Sequence, residues 1–272
     1  MRVKMIVRLF GGMGNQMFQY AFGRSVSSVR KEPLFFRLGR LGPGFRRAYS
    51  LDAFNVSVNW DDGMERPEYV ERYFRYDPQV YNAAPGSVFR GCWQTEKYFD
   101  ECIVRKELSL RNPVGAESQR VAAKILSGPS AFVHVRRTDY LTPQALAHHG
   151  SMGMDYYNAA MSYVREREPK VKFFIFSDDP EWCRSAFPLD TVVGHNGLGS
   201  GDSGPATEHE DLYLMSLCNH AVIANSSFGW WGAWLGDDVT RRPRIVVSPE
   251  QWFARGGRDS RDIVPERWIQ QS

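Results

Sequence analysis

The 272-residue chain contains no apolar run approaching the roughly 18–20 residues of a membrane-spanning helix. The apolar stretch at its amino terminus is interrupted by Arg8 and is too short for the core of a secretory signal, so it reads as a first strand. A cytoplasmic protein is expected, and peripheral membrane association stays compatible with the sequence. Cysteine is scarce: Cys92, Cys102, Cys183 and Cys218 are widely spaced and form no CxxC pair. That excludes a disulfide scaffold and suggests free thiols in a reducing compartment. Charge of one sign is also lacking. A net charge of +3 is too small for the footprint of a nucleic-acid binder, although it permits a locally basic cleft for a small anion. There is no internal repeat, P-loop lysine, nucleophile elbow or kinase signature. The histidines at 134, 148, 149, 195, 209 and 220 show no metal-ligand spacing, and no metal site is expected.

The chain does have an ordinary globular balance, 43% hydrophobic and 24% charged, and enough length for one large α/β domain or two smaller ones. Aromatic residues make up 14%. That abundance suits core packing above all, with some rings left to frame a flat ligand. Residues 3–10, 131–136, 171–176 and 221–225 are short runs rich in Val, Ile and Phe, as buried parallel strands are. Each ends in a polar or Gly-rich turn, and helical patterns fill the intervals, as at Phe18, Phe22, Val26 and Val29. The alternation predicts an α/β fold with mainly parallel sheets, whose ligands bind beyond the carboxyl ends of the strands. Breaks at Asn112-Pro113 and Gly128-Pro129 flank a helical segment. Two Rossmann-like halves, 1–127 and 128–272, facing each other across a cleft would explain them. Residues 194–210, with five Gly, two Ser and a Pro, read as a binding loop or a tolerated surface insertion. The Arg-rich 37–47 segment reads as a solvated loop or as the rim of a second substrate site.

Four turns carry the candidate chemistry. In GGMGNQMFQYA, Gly12 and Gly14 let backbone approach a ligand at a helix start, and Asn15 and Gln16 supply amides or caps. Met17 breaks the dinucleotide fingerprint, where Gly or Ala belongs. In HVRRTDY, His134 and Arg136 share a strand face, and Arg136 at the strand end is suited to clamping a phosphate or forming a structural ion pair. In FSDDPEW, Ser177, Asp178 and Asp179 follow a strand; their carboxylates suit a ribose, a base edge, Mg²⁺ or the cap of the helix starting at Pro180. They lack the one-residue spacing of a DxD motif. In ANSSFGWWGAWL, Asn225, Ser226, Ser227 and Phe228 lie where a helix N-terminus can hold phosphate oxygens, and Trp230, Trp231 and Trp234 read as packing.

Taken together, GGMGNQMFQYA, GCWQTEKYF, HVRRTDY, FIFSDDPEW, DLYLMSLCNHAVIANSSFGWWGAWL and PEQWF resemble the α-1,2-fucosyltransferases of glycosyltransferase family 11, in order and over nearly the whole chain. The resemblance implies a GT-B arrangement and an inverting, metal-independent transfer of fucose from GDP-L-fucose to a glycan hydroxyl. No cofactor is implied. It implies further that Arg136 holds the β-phosphate, with His134 beside it. Asp178 or Asp179 would contact guanosine. Ser226, Ser227 and Phe228 would hold phosphates and base, and Asn15 would lie near fucose and pyrophosphate. Glu96 and Lys97 have an open role, with fold support as the plainer reading. Asp139, His134 and Glu96 are candidate bases for the acceptor hydroxyl, and a late proton transfer to phosphate needs none of them. Two positions depart from the family pattern: Thr138 stands where Gly is common, and Gly229 where Ser or Ala is common.

Overall fold

The computed structural model describes residues 3–39, 48–193, 208–237, 244–254 and 259–272, except for the side chain of Asp139. The 194–210 loop and the 37–47 segment therefore lie largely outside the described residues; 37 and 38 are strand, and 208–210 open a helix. The chain forms two compact units, Met1–Asn112 with Arg258–Pro265, and Pro113–Gly257 with Glu266–Ser272. The division falls at Asn112/Pro113, the first of the two breaks, and not at 127/128. Two crossings of the chain near its end had no signature in the sequence.

The first unit is built from β1 (Met5–Leu9), α1 (Met13–Arg30), β2 (Leu34–Leu38), β3 (Glu68–Val70), β4 (Val88–Arg90) and α2 (Glu101–Glu107). Its sheet is parallel throughout, in the order β2-β1-β4-β3. β1 is buried almost throughout, which is why it reads as a continuous apolar run. Phe22 of α1 stacks on Trp93 with ring centroids 4.1 Å apart and meets Phe89 and Tyr98, closing an aromatic core under the sheet.

The second unit contains α3 (Ala116–Leu126), β5 (Ser130–Val135), α4 (Pro143–His149), α5 (Met154–Arg167), β6 (Lys172–Ser177), α6 (Pro180–Ala186), β7 (Thr191–Val192), α7 (Glu208–Leu217), β8 (His220–Ile223), α8 (Ser227–Gly236), β9 (Val246–Pro249) and β10 (Ile269–Gln271). The sheet order is β10-β9-β8-β5-β6-β7, again all parallel. One face of β5, Ala131, Val133 and Val135, packs with Tyr156, Tyr157, Ala160 and Val164 of α5. Trp230, Trp231 and Trp234 of α8 are fully buried, so these rings are core. Helix α3 belongs here because Glu210 of α7 accepts hydrogen bonds from the Gly115 N–H and the Ser118 hydroxyl. No helix among the described residues is long and apolar enough to cross a membrane, and all four cysteines are free thiols.

In the six-stranded sheet the strand order reverses at one place, between β5 and β8. At such a switch point the crossover connections diverge and leave a crevice outside the carboxyl ends of the strands, where ligands of open α/β sheets bind. The turns after β1, β4, β5 and β8 are GGMGNQ, GCWQ, RRTDY and NSSFG, which are four of the sequence motifs.

Candidate active site

At the switch point of the second unit, Arg136 follows the last residue of β5. Its side chain is mostly buried, its Nε lies 3.5 Å from Asp178, and its guanidinium stands 5.6 Å over the Tyr140 ring. Tyr140 is fixed in turn. Its hydroxyl donates to the Asn225 carbonyl at 3.2 Å, and its ring stacks on His149. The helix α8 begins beside this cluster at Ser227, with no side chain capping its first turn. A guanidinium near uncapped helical N–H groups is suited to an anionic leaving group.

Asp178 does not reach outward as expected. Its buried carboxylate accepts the backbone N–H groups of Arg137 (2.9 Å) and Thr138 (3.0 Å) and the Thr138 hydroxyl. It shapes the turn that carries Arg136. Asp179 caps α6 by accepting the Trp182 N–H, and pairs with Arg137, which lies flat over the Trp182 ring at 3.8 Å. Ser177 accepts the Asp179 N–H. Thr138, the first departure from the family pattern, adds a hydroxyl bond to the Asp178 clamp in an ordinary helical conformation, φ −47°.

His134 is corrected in role. Burial, reinforced by the Arg136 charge, pushes its pKa down to about 3, so the ring is neutral at physiological pH and a poor base. Its Nδ1 is buried without a hydrogen-bond partner. The ring packs against the bare backbone of Gly229, where an added Cβ would fall 2.6 Å from Nδ1. The second departure from the family pattern thus has a steric cause. Phe228 borders the same ring at 5.8 Å and is only half-buried. Asn225 is buried, and its amide donates to the carbonyls of His149 and Trp252, so it ties α4 and the 252–254 segment together and does not offer its N–H₂ end to a ligand. Ser226 is buried and Ser227 half-buried. Asp139 opens a short 3-10 turn, and its side chain lies outside the described residues.

In the first unit, Gly11 takes φ +79°, a conformation that suits glycine, and Gly12 starts α1 without a side-chain cap. Gly14 is buried in the first turn. Gln16 is fully buried, donates to the carbonyls of Gly11 and Ala48, and accepts the Ser50 N–H. Both ends of its amide are occupied, so it pins the turn and leaves nothing for a ligand. Asn15 is half-buried and accepts from Gln94 at 2.8 Å. Lys97 bridges to Asp262 at 2.7 Å, which supports the fold within this unit. Sequence reasoning passed over Gln94, Tyr140 and Gln19, whose amide joins Phe10 N–H to the Gly91 carbonyl. All but Gln94 lacked a signal beyond their place in a motif; Gln94 stands beside a tryptophan in a block already singled out.

The NodZ α-1,6-fucosyltransferase, in a structure soaked with GDP-fucose, superposes with a TM-score of 0.53 over 85% of this chain and 92% of that one, at 17% identity. The fold is accordingly α/β of the GT-B type. An α-1,2-colitosyltransferase of Escherichia coli is 32% identical over 97% of both chains. Galactoside α-(1,2)-fucosyltransferase 1 of Alouatta belzebul is 28% identical over 95% of this chain and 72% of its own length. The model of glycosyl transferase family 11 matches residues 89–270. The chain belongs to glycosyl transferase family 11 and is a glycosyltransferase.

Proposed function

We propose that the protein transfers L-fucose from GDP-β-L-fucose to the 2-hydroxyl of a galactoside, with inversion to an α-1,2 linkage and without a metal ion. The observation that carries this reading is Arg136, held by Asp178 and Tyr140 at the β5–β8 switch point beside the uncapped start of α8. The acceptor oxygen bonds to the anomeric carbon as the bond from that carbon to the β-phosphate oxygen breaks. Its electron pair leaves with GDP, where a guanidinium and helical N–H groups stabilise the charge. The carboxylates after β6 are engaged by Arg137, Thr138 and α6, which favours cationic side chains over a bridging metal as the phosphate's partners. A neutral His134 makes a poor base, which favours late passage of the acceptor proton to the departing phosphate. Its partners in this reading are GDP-fucose and a glycan acceptor, met in the cytoplasm, with no nucleic acid.

A second donor has a specific observation behind it, the 32% identity to a colitosyltransferase. Colitose is L-fucose without the C3 hydroxyl, so the two donors differ by one hydrogen-bonding group. GDP release is to be measured from GDP-fucose, GDP-colitose and GDP-mannose over a panel of β-galactosides, with EDTA present. Release from GDP-fucose that survives EDTA is expected. Release from GDP-colitose alone transfers the proposal to that sugar, release from GDP-mannose alone refutes it, and loss with EDTA refutes the metal-free step.

A further inference from the structure

One sequence block, PEQWF, is left without a role by the transfer reading. It lies against the end of α4, within the second unit. The Phe253 ring borders His148 at 5.4 Å and His149 at 6.0 Å, and the Ala254 N–H donates to the His148 carbonyl at 3.1 Å. The carbonyls of Trp252 and His149 share the Asn225 amide, at 3.1 and 2.7 Å. Helix α4 buries none of its residues, so it is no part of the hydrophobic core. Its last residue, His149, is nevertheless fixed by ring and by backbone. The chain turns away directly after it at Gly150, φ +71°, a conformation suited to glycine. The His149 ring lies nearly parallel to that of Tyr140, at 11° and 4.7 Å, and meets the His148 ring edge-on at 4.5 Å. Anchoring of this kind on an exposed helix serves the ring that His149 touches rather than the core.

Phe253, His149 and Tyr140 form a run of rings that ends at Arg136, whose guanidinium stands 5.6 Å over Tyr140. The Tyr140 hydroxyl bond to the Asn225 carbonyl holds one end of its ring. That oxygen lies on the long axis of the side chain, so the bond leaves the ring free to turn about the axis, a soft torsion in tyrosine. A second ring stacked on its face removes that freedom. We infer that His149 is a positioning residue: stacked on Tyr140 and backed by Phe253, it fixes the ring plane against which the Arg136 guanidinium rests, and PEQWF is the outer support of the stack. This rests on the reading of Arg136 as the group that meets the departing phosphate. Asp178, 3.5 Å from Arg136 Nε, locates the near end of the guanidinium. A planar fork laid against an aromatic face is held in tilt as well, which decides where its remaining N–H groups point.

A double-mutant cycle separates positioning from support of the fold. His149→Ala, His149→Phe, Arg136→Ala, Arg136→Lys and the pair His149→Ala with Arg136→Lys are to be compared with wild type in kcat and KM for GDP-fucose, with thermal unfolding to confirm folding. His149→Leu, which keeps bulk without a flat face, replaces His149→Ala if the latter does not fold. His149→Ala is expected to lower kcat about tenfold with KM little changed, and His149→Phe, which still stacks, to recover most of that loss. Lysine keeps the charge of Arg136 but has no plane to lay on a ring. In the Arg136→Lys background, His149→Ala is therefore expected to cost less than about twofold. By NMR, the Arg136 Nε–H resonance is expected to move in His149→Ala and to return in His149→Phe. Additive losses in the cycle would overturn the inference, as would a resonance indifferent to residue 149. If Arg136→Ala loses activity while His149→Ala keeps it, the inference alone falls. If Arg136→Ala is fully active, the reading of Arg136 falls and the inference with it. If no GDP-sugar is turned over, the functional reading falls, and the Nε–H resonance still decides whether His149 places the guanidinium.

Discussion

The turn after β5 and the turn after β1 are held by opposite materials. Around β5 the turn is held by charge: Asp178 on two backbone N–H groups, Arg137 on Asp179, and Arg136 between Asp178 and Tyr140. Around β1 it is held by neutral amides: Gln16 on three backbone groups, Gln19 on two, and Gln94 on Asn15. A fixed cation amid low-dielectric surroundings stabilises a departing anion strongly, so the charged turn is suited to the pyrophosphate. Amides supply direction without net charge, which suits hydroxyls and the discrimination of one sugar from another. The first turn keeps a cation at the end of its strand, whereas the amides of the second are engaged by backbone groups and by Asn15.

The largest test of that division is Arg136→Ala. Transfer is expected to fall by about 10³-fold, the scale of losing a preorganised electrostatic contact, while circular dichroism stays native. Near-normal turnover would erase the contrast. Next comes Gln16→Met, which keeps volume and removes three hydrogen bonds. It is expected to lower unfolding stability by about 1–3 kcal/mol in denaturant titration and to leave the rate per folded molecule intact. A rate loss without a stability loss would return Gln16 to the ligand site. The smallest effect concerns His134. Its folded pKa lies far below the ordinary 6.5, so the unfolded chain takes up a proton that the folded one refuses. Stability from this group is complete above about pH 6.5 and declines as pH falls toward about 3. His134→Phe is expected to flatten that decline, with a remainder from His209 and His220, which burial also lowers. An unchanged slope in denaturant midpoints at about pH 7.5 and 5 would contradict the neutral ring.

Much of the fold was legible because burial leaves a mark on composition. The four strands read from apolar runs appear as β1, β5, β6 and β8, each within a residue or two. β2, β3, β4, β7, β9 and β10 were missed; β2, β3, β7 and β10 end their sheets and are partly exposed, so they show neither a clean run nor an alternation, while β4 and β9 are interior but only three and four residues long, too short to stand out as runs. The turns were legible as Gly, Asn, Arg and Asp after strands. Their assignments were less so. Gln16 and Asn15 are neighbours of like chemistry, yet one is sealed and the other half-open, because successive residues on a helix point about 100° apart. Asp178 and Asp179 divide in the same manner between a buried clamp and a helix cap.

By itself the sequence determined the α/β class, the parallel strands and the turns where chemistry gathers, since each rests on local periodicity and on residue types confined to a few backbone conformations. Only the tertiary structure decided which polar groups face one another: that Asp178 serves the Arg136 turn, that Gly229 makes room for a neutral His134, that Gln94 takes the oxygen of Asn15, and that 258–265 returns to the first unit. Those pairings join residues far apart in the chain, and a hydrogen bond depends on a few tenths of an ångström that only packing can set.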